Sequence, residues 1–434
     1  MVGLMSSNNI LKQLNNIYQL HKKKYFSKNS EYHWLKLKNL LHDPTYVKKN
    51  IYLNIINDKL LKIPLTKEFL KKDLVNVIFQ IDAVFLYFIN GKLNKNISDI
   101  NNIYYKITIN QVNNLYYKNI SIKHNMFTHL SEALSKEIIF ININLNNISD
   151  IKPLYLIYIN IGKNSEDFFY MSNYRNYIDI QQIQSITIFE HYININQSYF
   201  NNIYTTLILG NNVNLIHYKL ITGDKKNYYC ANNEYYLNNN SYITKYDFLM
   251  SNKIIHQNNN FQFNGNNSTL NYKSLSLSKG NNISYINSYL EHNKKYCYSN
   301  QLHKAIVADN SIVNFKGLLK INPLAIKTDG QMNYSGLLLN KFSEINIKPE
   351  LDIFNDDVKC KHGVFSGKID NNQLFFLRTR GINLKKSHNM LLLAFLVDLI
   401  QDICDDNFKK EIYKYISNYF FTENIFNEFQ FNKN

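Results

Sequence analysis

The chain has 434 residues, a hydrophobic content of 45% and a formal charge of +16, from 49 Lys and Arg against 33 Asp and Glu. This length can bury a sizeable core and could hold two or three domains. So high a charge would ordinarily suggest a nucleic acid as partner. Because the lysines are scattered and the chain is rich in Asn, Ile and Tyr with only 13 Gly and 5 Pro, we attribute much of the excess to AT-rich codons. We therefore expect no nucleic-acid partner.

The four cysteines are too widely spaced to suggest a disulfide framework or a zinc ribbon. The sequence shows neither a secretion signal nor an apolar segment long enough to cross a bilayer. It therefore predicts a reduced, cytoplasmic protein that has no membrane partner. The cysteines are Cys230, Cys297, Cys360 and Cys404.

Apolar residues recur at helical spacing in the N-terminal part of the chain, as at Ile10, Leu14 and Tyr18. We predict a mainly helical N-terminal region, with some extended pieces, over residues 1–136.

Apolar and polar residues alternate from about Glu137 onward, as at Ile141 and Ile143, which predicts strands over residues 137–382. Within this region an Asn-containing turn recurs, each time followed by alternating apolar residues. Short strands at near-regular intervals fit a sandwich, a barrel or a solenoid, and the repeat favours a solenoid. Since Asn tolerates a left-handed backbone, we expect it to replace the scarce glycine at these turns. The repeated turns begin at Gly210, Gly265, Gly280 and Asp309.

Helical spacing returns near the C-terminus, at Leu391, Phe395 and Leu399. We predict a C-terminal helical unit of two helices over residues 383–434, with Ser387 as the N-cap of the first. We expect its apolar stripe to pack mainly against the strand-rich core.

The sequence carries no self-contained enzyme signature. The stretch from Gly363 to Lys368 superficially matches a phosphate-binding loop, but it is one residue short and has Ile369 where Ser or Thr must hold magnesium. Neither a dinucleotide-binding glycine motif nor a zinc hydrolase or serine hydrolase motif is present. We therefore expect no enzyme activity and no nucleotide site on this chain.

Cys360 and His362 stand two positions apart in a strand-like pattern, so their side chains should project on the same side. Thiolate and imidazole are ligands that iron and zinc accept. Imidazole ligates iron less tightly than thiolate does, which suits metal that is held transiently. The pair is the leading candidate site. For each residue the alternative is a purely structural role.

Three charged residues accompany this pair. Asp356 shares the parity of Cys360 and His362, and it could fix the imidazole tautomer or be a solvated turn residue. Arg378 and Arg380 would share one strand face, where they could pair with acids on a partner or with Asp370 or Asp357 of this chain.

The segment around the pair resembles a known family. The run from Asp356 through Val-Lys-Cys-x-His-Gly and the close from Phe376, Leu-Arg-x-Arg-Gly-Ile, are similar to the C-terminal pattern of the SufD members of the SufB/SufD family. These proteins belong to the Suf machinery for iron-sulfur cluster assembly. The similarity covers about residues 292–395. SufB remains the alternative within the family, but its members lack the Asp-Asp-Val-Lys-Cys-x-His run. Further matching residues are His292, Cys297, Ser299, Gln301, Lys304, Ala325, Lys327, Thr328, Asp329 and Gln331.

The resemblance implies a mainly β fold, with a right-handed parallel β-helix core between N-terminal and C-terminal helical regions. It implies a non-enzymatic scaffold subunit that pairs with SufB through the β-helix and binds the ATPase SufC through the C-terminal helices. His362 would lie at the SufB-facing end, where the partner supplies a cysteine and a transient iron-sulfur cluster forms. Whether such a complex also carries a reduced flavin stays open.

A β-helix carbohydrate-active enzyme is the alternative from another class, because parallel β-helices often host such enzymes. Asp356 and Asp357 would be its obvious acid pair, yet adjacent strand residues point to opposite faces and cannot readily flank one glycosidic bond. We expect His217, His292 and Cys297 to be packing residues.

Overall fold

We describe the protein from a computed structural model. The described residues are 14–15, 18–19, 35–36, 38–39, 60–62, 78–109, 125–144, 151–161, 168–181, 185–195, 199–223, 227–250 and 252–420. Of the three residues that suggested an N-terminal helix, Ile10 lies outside these ranges, whereas Leu14 and Tyr18 are helical and buried.

Strands dominate the described part of the chain. The strands are β1 Leu60–Lys62, β2 Val84–Ile89, β3 Lys92–Leu93, β4 Lys106–Ile109, β5 Ile138–Asn144, β6 Leu154–Ile161, β7 Phe168–Gln181, β8 Ser185–Ile195, β9 Tyr199–Leu209, β10 Asn214–Thr222, β11 Tyr228–Leu237, β12 Tyr242–Met250, β13 Ile254–Phe263, β14 Thr269–Ser278, β15 Ile283–His292, β16 Tyr298–Val307, β17 Ile312–Ile321, β18 Asp329–Leu338, β19 Glu344–Ile353 and β20 Lys359–Gly367. The helices with described bounds are α1 Met126–Leu134, α2 Asn371–Thr379, α3 Leu384–Ile400 and α4 Asp406–Phe420.

The strands form two long sheets that face each other. Sheet 1 has the order β19-β17-β15-β13-β11-β9-β7-β5-β4, with β1 beside β7, and sheet 2 has the order β20-β18-β16-β14-β12-β10-β8-β6-β2-β3. From β5 onward consecutive strands alternate between the two sheets, and neighbours within each sheet are parallel. The chain therefore winds into a β-solenoid, which confirms the predicted mainly β solenoid. Strands β1 to β4 lie within residues 1–136, the region predicted to be mainly helical with some extended pieces, and they join these sheets.

The strands stack in register, so each side chain lies above its counterpart in the preceding coil. Tyr298 of β16 pairs with Asp329 of β18, which in turn pairs with Lys359 of β20. Because side chains alternate along a strand, every second column points inward between the sheets. The inward columns build one continuous buried cluster that extends from Val84 to Tyr334.

The predicted turns lie at the corners of the solenoid. Asn212, Asn240 and Asn267 have φ angles of 60°, 54° and 57°, in the left-handed region. Their corner stacks by backbone hydrogen bonds, such as that from Asn240 N to Asn266 O at 2.9 Å. The side chains stack too, since Asn240 Nδ2 donates to Asn212 Oδ1 at 3.0 Å. The expectation that Asn takes glycine's place is confirmed at the turns that begin at Gly210 and Gly265, whereas Gly280 and Asp309 are themselves the left-handed residues of the other two turns.

Helices cover the outer faces of both sheets. Helix α1 lies on sheet 1 against β7, β9 and β11, and it begins with a capping box at Asn125. Helices α3 and α4 lie on sheet 2, where Leu396, Leu399 and Ile412 join a second buried cluster with Phe248. The expectation that the C-terminal apolar stripe packs on the core is therefore confirmed. Within the described residues, no helix is both long and apolar enough to cross a membrane.

Two local predictions about the C-terminal part were wrong. Asn383, not Ser387, is the N-cap of α3, and its side chain accepts a hydrogen bond from Lys386 N at 2.8 Å. Ser387 lies one turn inside the helix, where it is buried and its hydroxyl donates to Asn383 O. The stretch around Arg378, predicted as a strand, is helix α2, so helical structure begins before the predicted boundary.

Candidate functional site

Cys360 and His362 lie on β20, the last strand of sheet 2. In the described part of the chain β20 pairs with β18 alone, and β19, the last strand of sheet 1, pairs with β17 alone. We call these two strands the open end. Cys360 stands above Gly330 and His362 above buried Met332, so both continue the inward columns. The expectation that the two side chains share one face agrees with this register.

The two donors differ in exposure. Cys360 packs against the cluster between the sheets, whereas the His362 side chain is exposed at the open end. Burial, together with the nearby carboxylate of Asp329, raises the pKa of the Cys360 thiol. The thiol therefore stays protonated at neutral pH, and binding of a metal ion would have to displace its proton.

A glycine below Cys360 lets the strands pack closely. A Cβ atom at Gly330 would come within 2.7 Å of Leu319 Cδ2 in the facing sheet. Gly330 therefore lets Leu319 fill the space below the thiol. A larger residue at this position would force the Leu319 side chain to shift out of that space.

Asp356 and Asp357 lie in the corner turn between β19 and β20. Asp356 is exposed and outside any strand, so the argument that it shares the parity of Cys360 and His362 was wrong. Asp357 has a structural role in this corner. Its carbonyl accepts from Lys327 N at 2.8 Å, and its carboxylate pairs with Lys327 Nζ at 2.8 Å.

Arg378 and Arg380 do not share a strand face. Arg378 is in the last turn of α2, and Arg380 is its C-cap, with the guanidinium 4.2 Å from the centre of the Phe376 ring. Asp370, considered as an ion-pair partner, is instead the N-cap of α2 and accepts from Asn372 N at 2.9 Å. The two arginines therefore belong to the helical surface next to the open end.

The other candidates are packing residues, as expected. His292 is buried, with its ring stacked 4.2 Å from Phe263 and Nε2 2.9 Å from Ser299 Oγ. Cys297 is buried, and its thiol lies 3.3 Å from Gly265 O. Among the residues that the structure describes, no three His, Cys, Asp or Glu side chains converge as a metal site. Within the described residues, Cys360 and His362 are thus a pair on one strand rather than a complete set of metal ligands.

Two inward columns of sheet 2 that end at the open end are polar for most of their length, and sequence reasoning missed them. The first contains His217, Lys245, Tyr272, Gln301, Met332 and His362. The second contains Glu190, Lys219, Asp247, Ser274, His303, Tyr334 and Val364.

The charges in these columns are fully buried and paired. Lys219 Nζ lies 2.7 Å from Glu190 Oε2, and Lys245 Nζ lies 2.6 Å from Asp247 Oδ1. Tyr272 also donates to Asp247, at 2.8 Å. Burial lowers the pKa of Lys245 to about 8, although Asp247 favours its charged form. Burial alone would raise the pKa of Asp247, but the neighbouring lysines hold it below its usual value.

His217 is a core residue, as expected, but it is surrounded by charged side chains. Its Nε2 lies 3.5 Å from Glu190 Oε1 and its Nδ1 lies 3.3 Å from Tyr235 OH. Burial and the nearby Lys245 lower the His217 pKa to about 4, so the ring is neutral. One pattern in the sequence does mark these columns: ionisable residues recur two positions apart in successive strands. Examples are His217 with Lys219 and Lys245 with Asp247. Such residues ordinarily face water, so the pattern alone does not reveal the columns.

The fold and the open end define a parallel β-solenoid protein with a thiol and an imidazole on its last strand. The chain matches the family described as SUF system FeS cluster assembly, SufBD core domain, over residues 161–395. It is 33% identical to the iron-sulfur cluster assembly protein SufD of Escherichia coli (strain K12), over 76% of this chain and 78% of that relative. The chain therefore belongs to the SufBD family, as its motifs had indicated.

Other relatives agree with this assignment. The chain is 24% identical to the SufBD family protein slr0076 of Synechocystis, over 73% of this chain and 74% of the relative. A shorter match, 38% identical over 104 residues, links it to the chloroplastic protein ABCI7 of Arabidopsis thaliana, covering 24% of this chain and 22% of that protein.

Proposed function

We propose that this protein is a SufD-type scaffold subunit that assembles iron-sulfur clusters together with SufB and SufC, and that it has no enzyme activity of its own. The observation that carries the proposal is the position of Cys360 and His362 on the last strand of the open end. An iron-sulfur cluster is usually held by four protein ligands. A pair of donors at a free strand edge suits a cluster that is cargo shared with a second subunit.

The open end is the proposed surface for SufB. Both of its strands have an unpaired edge within the described chain, and unpaired edges are templates for strand addition. Large apolar side chains are exposed around them: Ile353 (43%), Phe354 (58%), Val364 (49%) and Phe365 (53%). SufB would cover these side chains and supply a cysteine opposite His362.

The proposed surface for SufC includes α2 as well as the predicted C-terminal helical unit. Helices α3 and α4 bury their apolar stripe on sheet 2, so that stripe is already occupied. Phe375 and Phe376 of α2 are instead 69% and 53% exposed, and Leu384 at the start of α3 is 51% exposed. These side chains lie next to the open end in the chain. ATP hydrolysis by SufC would move this surface and, through it, the open end.

The carbohydrate-active alternative finds no support in the geometry. Asp356 and Asp357 lie in a corner turn rather than on a solenoid face, and Asp357 is paired with Lys327. As a scaffold subunit, the protein is expected to be cytoplasmic. We propose no flavin site on the part of the chain that the structure describes.

The test is replacement of His362 by Ala in the purified complex, followed by measurement of reconstituted cluster from its absorbance and iron content. We expect the yield to fall several-fold while the three subunits still elute together. Lys361→Ala is the matched control, because Lys361 is exposed on the opposite face of the same strand. An unchanged yield in an intact H362A complex would remove His362 from the site.

Co-expression tests the partners separately. We expect this chain to co-purify with the SufB and SufC of its own genome. Failure of either protein to associate would reject the corresponding surface.

A further inference from the structure

Helix α3 is attached to sheet 2 at its C-terminal end by polar contacts. Lys273 of β14 donates to Asp398 O at 3.1 Å and pairs with Asp402 at 2.5 Å. Lys304 of β16 donates to Phe395 O at 2.5 Å and pairs with the carboxylate of Asp398. We call Lys273 and Lys304 the lysine clamp.

The clamp supplies charge that the helix itself lacks. The last turn of α3 contains no basic residue, although the C-terminal end of a helix carries partial negative charge. The lysine side chains are only 15% and 7% exposed, whereas Asp402 and Asp398 are more than half exposed. The two lysines are therefore committed to this contact, and without it their ammonium groups would be left poorly solvated.

Tyrosines of sheet 2 extend the attachment beyond the end of the helix. Tyr246 OH donates to Asp402 O at 3.1 Å, and Tyr218 OH accepts from Cys404 N at 3.2 Å. Tyr218, Tyr246 and Lys273 are paired neighbours on β10, β12 and β14. One outward column of the solenoid thus holds the segment between α3 and α4.

In the structure α2, α3 and α4 follow one another without an intervening strand, and we now use helical unit for all three; its α2 end is tied to the open end. Three residues, Lys368 to Asp370, connect β20 to α2, and Leu384 at the start of α3 is exposed. Strand β20 carries His362 and, in the described chain, is hydrogen-bonded on one edge alone. A displacement of α2 therefore reaches β20 through a very short connection.

We propose that Lys273 and Lys304 are positioning residues, which fix the far end of the helical unit so that movement of α2 is delivered to β20 and His362. This inference rests on the proposed function, in which an ATPase acts on the helical unit. Without the clamp, part of the displacement would be lost as sliding of α3 on its apolar face, and a smaller part would reach β20.

The first experiment measures amide hydrogen exchange in the isolated full-length chain carrying both Lys273→Met and Lys304→Met. We expect exchange within residues 384–400 to become at least about tenfold faster, since tenfold corresponds to the loss of one charge-assisted hydrogen bond and the variant removes four such contacts. A separate variant with Lys304→Arg alone should keep most of the wild-type protection of α3 against exchange. The matched control, Lys316→Met with Lys348→Met, removes two lysines that pair with Glu350 on sheet 1, and it should leave α3 unchanged. Unchanged exchange in α3 of the clamp variant would overturn the proposal.

The second experiment compares exchange in β20 of the complex, with and without ATP, using the ATPase partner of the proposed function. We expect the wild-type complex to show an ATP-dependent change in residues 359–367, and the clamp variant to assemble but show a smaller change. A clamp variant that keeps the full change would contradict the proposal. Failure of the wild-type chain to bind the ATPase would reject the proposed function instead, and the first experiment would still decide whether the clamp holds α3. Lys273→Met alone is a milder variant if the double variant folds poorly.

Discussion

Packing alone does not account for the burial of Glu190, Lys219, Lys245 and Asp247 inside the solenoid. Each is fully buried, and each is paired within 2.7 Å of an opposite charge. The attraction within such a pair roughly offsets the cost of removing both ions from water. A paired set is therefore tolerable, but loss of one member leaves a buried charge without a partner.

We expect Asp247→Asn to lower the free energy of unfolding by about 3 kcal/mol, because it leaves the ammonium group of Lys245 in the solenoid without a carboxylate. Chemical denaturation followed by tyrosine fluorescence measures this. Glu350→Gln breaks two ion pairs with surface lysines and is the control, with an expected cost below about 1 kcal/mol. The double variant Lys245→Met with Asp247→Asn should recover part of the loss, because it removes the unpaired ammonium group and Asn can still accept from Tyr272. Equal costs for D247N and E350Q would contradict this explanation of the buried columns.

The corner turns determine how each coil connects to the next. At Asn240 the backbone has a φ of 54°, which strains a residue with a Cβ atom and no local hydrogen bond. We expect Asn240→Ala to lower the midpoint of thermal unfolding, at a cost of about 1 kcal/mol, and Asn240→Gly to cost less than half as much. If Ala were tolerated as well as Gly, stacking of the Asn side chains, rather than backbone conformation, would be the main contribution of this position.

We expect the open end to determine whether this chain associates with SufB. Val364 continues an inward column at the last strand and is 49% exposed, so a charge there would be buried by any strand that pairs with β20. We expect Val364→Lys to abolish co-purification with SufB while leaving the far-ultraviolet circular dichroism spectrum unchanged. Lys359→Glu, an exposed change on the opposite face of the same strand, is the control. Retained association of V364K would place the SufB surface elsewhere.

Features that depend on residues close together in the sequence could be predicted, whereas features that depend on distant strands could not. The Asn-rich turns were predicted because a left-handed backbone is a local demand that few residue types meet, as at Asn212 and Asn267. Helix α2 was missed because its nine residues are too short to show a helical period, and because its N-cap, Asp370, can equally be interpreted as an ion-pair partner. The N-cap of α3 was assigned one turn too late for a similar reason, since Asn383 and Ser387 are both good caps.

The buried columns could not be predicted because they depend on register across the whole sheet. Lysine and aspartate in a strand usually face water, and nothing near Lys245 in the sequence shows that His217 and Tyr272 lie beside it. The Cys360 and His362 pair was found because both donors are in one short segment. That this pair lies on the last strand of sheet 2, however, depends on the order of all the strands and not on the residues near the pair.

At the scale of the whole molecule, two buried clusters connect the elements. One lies between the sheets and the other lies between sheet 2 and helices α3 and α4. In a solenoid each coil contacts mainly its neighbours, so stability accumulates along the axis. The helical unit joins strands from β6 to β18 on one face, and it should make unfolding of these coils more cooperative than stacking alone would.

The stacked coils, together with the segments that cover their outer faces, make the protein sensitive to acid, because they bury several histidines. Burial lowers the pKa of His191, His292 and His303 to about 3 and that of His217 and His256 to about 4. In the unfolded chain histidine has a pKa of about 6.5. Below that pH the unfolded chain binds protons that the folded chain does not, so stability falls as the pH drops from about 6.5 towards 4.

Each of these histidines can contribute a slope of up to about 1.4 kcal/mol per pH unit in this range. We therefore expect the midpoint of thermal unfolding to be nearly constant between pH 8 and 7 and to fall steeply between pH 6 and 5. Differential scanning calorimetry across this range measures the effect. Replacing His303 by Gln, which can still bond to Ser274, should reduce the slope by one histidine's share. A midpoint that stays level down to pH 5 would mean that the imidazoles gain charge inside the folded solenoid, and the buried columns would then have to admit water.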